Sequence, residues 1–103
     1  MSGRFVLTRS GPARIEARGR IDTANAAEVL REGDRAIEAP VVVDLAALES
    51  ADSVTLAVLL AWAARSDAQG RVTFAAMPPH LGALARLSGV EGLLGIAGDA
   101  RAA

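Results

Sequence analysis

Residues 41–70, VVVDLAALESADSVTLAVLLAWAARSDAQG, constrain the fold more than any other stretch of the chain. Val41, Val42 and Val43 form a short β-branched run closed by Asp44. Such a run suits a strand buried on both faces, in the middle of a parallel sheet. Asp52 and Ser53, two helix-capping residues, then precede residues 54–69, which contain neither Gly nor Pro and are rich in Leu and Ala. That segment is expected to be helical, with Gly70 as its stop. Strand, loop, cap and helix make a βα unit. In open α/β sheets the tips of such units, at the carboxyl ends of the strands, are where ligands or partners meet the protein.

The expected helix is more apolar than packing on one sheet requires. Leu56, Leu59, Leu60 and Ala63 fall on one face, an ordinary core stripe. Val54, Val58, Ala61 and Trp62 fall on the other side, where a surface helix should be polar. Either another part of the chain covers this second side, or it is an exposed patch that docks a partner. The single Trp lies in it, and Trp is enriched among interface anchors.

The flanking segments fit one α/β domain. Phe5 and Leu7 alternate with Arg4 and Val6, as in an edge strand. After the turn Ser10-Gly11-Pro12, residues 13–21 place Ala13, Ile15, Ala17, Gly19 and Ile21 on one face and Arg14, Glu16, Arg18 and Arg20 on the other. The two segments are expected to pair as a hairpin, with the arginines a solvated strand face. Asp22-Thr23 then offers a cap for a first helix over residues 23–37, within which Gly33 allows close packing. Residues 71–77 are a further strand. Pro78-Pro79 opens a third helix over residues 79–87, which ends before Gly89. The order β-β-α-β-α-β-α predicts a mixed sheet of about four strands flanked by helices, with a βαβα core over residues 4–95 and a flexible tail at 96–103.

Few kinds of chemistry are open to such a chain. At 103 residues and 51% hydrophobic but only 3% aromatic, it builds one domain on an aliphatic core. A net charge of -1 gives no electrostatic case for nucleic acid or an anionic membrane. Without Cys there is neither a disulfide nor a thiolate nucleophile, which suits a reducing cytoplasm. Residues 1–11 lack the apolar core of a signal peptide, and the longest apolar run, residues 56–64, is too short to span a bilayer. The lone histidine, His80, has no second His or Cys to share a metal with. There is no phosphate-binding glycine pattern, and caps and turns account for Asp22, Asp44, Asp52, Glu49 and Glu91. The expectation is a non-enzymatic domain without cofactor or metal.

Three features resemble the STAS domain family, which includes anti-sigma factor antagonists and the cytoplasmic tails of sulphate transporters. Gly19-Arg20-Ile21-Asp22 resembles the family's G-x-[LI]-D at the end of the second strand. Val43-Asp44-Leu45 followed by Asp52-Ser53 is similar to the D-[ST]-x-[GA]-L signature that opens the central helix. Gly70-Arg71-Val72-Thr73-Phe74, with the later LARLSGVEGLL, resembles the last strand and helix, and within the family looks most like MlaB-like subunits of phospholipid-transport ABC complexes. Together these features run from about Phe5 to Leu94.

The resemblance implies a cytoplasmic subunit, peripheral at the inner membrane, that binds an ABC-transporter ATPase of the MlaF kind. Its alternative is an antagonist that binds an anti-sigma factor kinase and is switched by phosphate on Ser53. A docking face of Asp22, Asp52, Ser53, Val54, Thr55, Val58, Trp62, Ser88 and Gly89 is expected. Thr55 stands where the family carries a small residue, and its Cβ is expected to restrict the approach of a kinase or partner loop.

Overall fold

In a computed structural model, residues 4–96 are described. The strands β1 (Val6–Gly11), β2 (Arg14–Arg18), β3 (Val41–Asp44), β4 (Val72–Ala75) and β5 (Gly95–Ile96) form one sheet whose spatial order repeats their order in the chain. β1 and β2 pair antiparallel as the expected hairpin, and every later pairing is parallel. β3 is therefore central, as its uninterrupted valines predict. The two-residue β5 adds a strand to the four expected and takes Ile96, the first residue of the expected tail, into the sheet; the rest of that tail lies outside the described residues.

Helices α1 (Ala26–Ala36), α2 (Ser53–Ala63) and α3 (Pro79–Leu87) are the crossovers between parallel strands. Right-handed crossovers between successive strands that all advance in one direction lay their helices on one face of the sheet. Burial follows: Ile15, Ala17, Val41, Val43, Val72 and Phe74 are buried, while Glu16, Val42, Asp44, Thr73 and Ala75 between them are half-buried. Ile15, Val43 and Phe74 lie side by side in the register.

Two helix boundaries differ from expectation because side chains compete for the backbone. Asp22 and Asn25 bond each other's backbone N–H at 3.0 and 2.9 Å, closing a turn that delays α1 to Ala26. At the far end of α2, Ser66 Oγ accepts from the Val72 N–H and Asp67 Oδ1 from the Gln69 N–H. The helix consequently stops at Ala63, well before Gly70.

The second apolar side of α2 is not a surface patch. Val58 and Trp62 are 2% and 1% exposed, packed in the domain's own core beneath α1. The expected docking role of both is corrected accordingly. Gly33 makes this possible: an added Cβ there would collide with the indole, standing 2.9 Å from Trp62 Cδ1. Phe5 completes the enclosure, its ring centroid 6.1 Å from that of Trp62. The indole N–H of Trp62 is buried without a hydrogen-bond partner among the described residues.

Candidate functional site

The carboxyl ends of β2, β3 and β4 carry the loops that lead into α1, α2 and α3, so the three helix N-termini gather at one end of the sheet. The chain beyond β3 stays beside the extension of β2. Gly19 N–H donates to the Ala47 carbonyl at 3.2 Å and the Glu49 N–H to the Gly19 carbonyl at 2.7 Å. Asp22 and residues 50–53 are thereby neighbours, although some thirty residues separate them.

Asp52 is the N-cap of α2, and its Oδ1 accepts from the Thr55 N–H at 2.9 Å and the Thr55 hydroxyl at 3.0 Å. Ser50 Oγ accepts from the Ile21 N–H at 2.9 Å and lies 2.8 Å from Thr55 Oγ1. A carboxylate can only accept, so the Thr55 proton goes to Asp52 and the Ser50 proton to Thr55. One directed chain results, from the Ile21 N–H through Ser50 and Thr55 to Asp52. Ser50 and Thr55 are buried at 4% and 0%, whereas Asp52 and Ser53 are exposed.

Ser53 is the first residue of α2, and its hydroxyl takes part in no side-chain hydrogen bond among the described residues. Capping belongs to Asp52 alone. Ser53→Ala is accordingly a surface change, expected to shift stability by less than about 0.5 kcal/mol. Asp52→Ala removes the cap and strands the Thr55 hydroxyl, and a loss of about 2 kcal/mol is expected in a denaturant melt.

The Thr55 N–H and hydroxyl hold the Asp52 carboxyl below its ordinary value of 3.8, and the Ala46 N–H, helped by Arg14, does the same for Asp44. A folded pKa below the unfolded one means stabilisation that is complete above 3.8 and lost as the pH falls through the folded value. Melting temperature should therefore drop on acidification below about pH 4, and less steeply in Asp52→Ala. An unchanged slope would show that the carboxylate contributes nothing.

The expected docking face divides. Asp22, Asp52, Ser53 and the half-buried Val54 lie together at the carboxyl end of the sheet. Thr55 is internal, so its Cβ does not face an approaching partner, contrary to expectation. Ser88 and Gly89 are exposed but follow the last turn of α3, which starts at the carboxyl end and runs back. Nine residues of helix carry them roughly 13 Å toward the opposite end. They do not join Ser53.

Sequence reasoning missed Ser50 and Asn25, and it placed Thr55 on the docking face rather than in the buried hydroxyl chain. Asp22 and Asn25, three apart, and hydroxyls flanking a capping Asp were the only signals, and both are common in ordinary turns. Among the described residues no three His, Cys, Asp or Glu side chains come together in a metal-binding group. A cavity of about 250 Å³ beside α1, lined by Arg4, Phe5, Glu28, Val29 and Glu32, reaches this end only at Asn25.

The Mlab, STAS domain family matches residues 6–95. No curated protein matches the chain in sequence. A chain of the Acinetobacter MlaFEDB complex in an ATP-bound conformation superposes with a TM-score of 0.66 at 20% identity, over 88% of this chain and 98% of that one. An anti-sigma factor antagonist from Mycobacterium paratuberculosis gives 0.71 at 19% identity, over 90% and 83%. The antagonist SpoIIAA in its unphosphorylated form gives 0.67 at 18%, over 96% and 92%. At such identities the likeness to all three is one of fold.

Proposed function

The chain belongs to the Mlab, STAS domain family, and on that footing we propose that it is a non-enzymatic subunit binding the ATPase of an Mla-type phospholipid-transport ABC complex. The family match over residues 6–95 carries this reading, because it points to the Mlab group within STAS domains. The likeness to a chain of the MlaFEDB complex, almost end to end, supports it. The subunit would sit in the cytoplasm, held at the inner membrane by its partner. No helix among the described residues is long and apolar enough to cross a membrane itself. Contact runs through Asp22, Asp52, Ser53 and Val54.

Affinity capture from the native cell tests the reading, with co-purification of an ABC ATPase expected. Titration of that ATPase with Ser53→Asp locates the contact. Ser53 is exposed at the positive end of α2, where an Asp is tolerated, so the variant should melt like the wild type. In a desolvated interface the added charge should weaken binding by a hundredfold or more, about 3 kcal/mol. Binding as tight as wild type would remove Ser53 from the interface.

One observation favours a second reading, an anti-sigma factor antagonist. Ser53 is exposed, its hydroxyl unengaged among the described residues, at a helix N-terminus, a place where a phosphate is electrostatically welcome. SpoIIAA in its phosphorylated form shares the fold, with a TM-score of 0.62 at 18% identity. Stoichiometric phosphate on Ser53 after incubation with ATP and a cognate anti-sigma kinase would decide for this reading over the first.

A further inference from the structure

Resting on the docking role proposed above, we infer that Ser50 and Thr55 are positioning residues: their hydroxyl chain presets the exposed Asp52-Ser53 edge for its partner. The motive is the placement of these groups. Two hydroxyls are buried 2.8 Å apart. Each is oriented by a partner that leaves it no choice. The Ile21 N–H occupies Ser50 Oγ from one side, and the Asp52 carboxylate draws the Thr55 proton from the other. Hydroxyls linked in this way polarise one another, and the last bond is charge-assisted.

The chain spans two separate segments. It begins at Ile21, beside Asp22, and ends at Asp52, beside Ser53. At its start Asn25 holds Asp22 in the reciprocal turn and donates to the Arg20 carbonyl at 2.9 Å. Asp22 and Asp52, the two carboxylates of the edge, are thus held in fixed relation before any partner arrives. Preorganisation raises affinity by removing the ordering cost from the binding step. Thr55 serves this purpose from inside, because its methyl and hydroxyl are wholly buried.

The test uses the full chain with Thr55→Val, which keeps the shape and removes the hydroxyl, and Thr55→Ser as the rescue. Ser50→Ala, which cuts the link to Ile21 while leaving the Asp52 cap, serves as a second variant should Thr55→Val fail to fold. Amide hydrogen exchange at Ile21 and at residue 55, whose N–H groups bond Ser50 Oγ and Asp52 Oδ1, should quicken about tenfold, with Val43 and Phe74 in the central strands unchanged. Affinity for the ATPase subunit should fall about tenfold, and Thr55→Ser should restore both. Unchanged exchange at Ile21 and at residue 55 overturns the positioning role. A loosened edge that binds as well as wild type overturns it too, since the ATPase then has no need of the preset geometry. If the wild-type chain does not bind the ATPase at all, it is the docking reading that fails, whatever the exchange rates show.

Discussion

Replacing Trp62 with alanine is expected to lower the unfolding free energy by about 3–5 kcal/mol and, in that background, to make Gly33→Ala harmless. Trp62 is the largest wholly buried side chain, enclosed by Phe5 and by α1 at Gly33. Its removal leaves a cavity that rigid strands beneath and a helix above cannot fill. Gly33→Ala alone should cost about 1–3 kcal/mol, since the new methyl overlaps an indole that has nowhere to move. The helical preference of Ala, at most about 1 kcal/mol, does not offset that. With the indole gone, the methyl enters empty space and only the helical gain remains. A double-mutant cycle in denaturant should therefore show coupling of about 2 kcal/mol or more. Additive effects would mean that the helix and the indole do not press on each other as the geometry requires.

Gly19→Ala is expected to be comparably severe, at about 3 kcal/mol or more, for a different reason. Gly19 has a φ of +102°, which side chains with a Cβ rarely adopt, and its added Cβ would overlap the Arg4 carbonyl. The obstacle is backbone, held by the start of the β1–β2 hairpin, and no rotamer change relieves it. Gly89 supplies the control. Its φ is also positive, +74°, but a Cβ there meets nothing within 4 Å among the described residues. Gly89→Ala should cost only about 1 kcal/mol, the conformational penalty alone. Thermal melts of the two variants separate strain from collision, and equal losses would show that the close approach of Arg4 has no energetic weight. Because Gly19 also ties the β3–α2 loop to β2 through Ala47 and Glu49, its variant should weaken partner binding as well.

Local periodicity was enough to place the main elements, though not the two-residue β5. The alternation in residues 13–21, the unbroken valines 41–43 and the Leu- and Ala-rich stretch after Asp52-Ser53 correspond to β2, β3 and α2, and the central position of β3 follows from its lack of a polar face. A cap at Asp52-Ser53 was equally legible, because capping depends on residues within one turn, but Asp52 fills it and the helix begins at Ser53, one residue before the expected start. The candidate site was legible only in part. Asp22, Asp52 and Ser53 stand at the carboxyl end of the sheet, whereas Val58, Trp62 and Thr55 turn inward and Ser88 and Gly89 follow the far end of α3.

Those differences share a physical origin. A helix apolar on every side needs cover on every side, but its own residues do not say whether a partner or the same chain supplies it. The tertiary structure decided it: α1 crosses α2 where Gly33 leaves room for the indole of Trp62. In the same way, which end of the sheet a loop reaches depends on strand direction, and strand direction is set by pairing between residues far apart in the chain. The hydroxyl chain from Ile21 to Asp52 is the plainest instance. Ser50 and Thr55 read locally as loop and helix residues; they acquire a joint role only because parallel pairing of β2 and β3 brings Ile21 within 2.9 Å of Ser50.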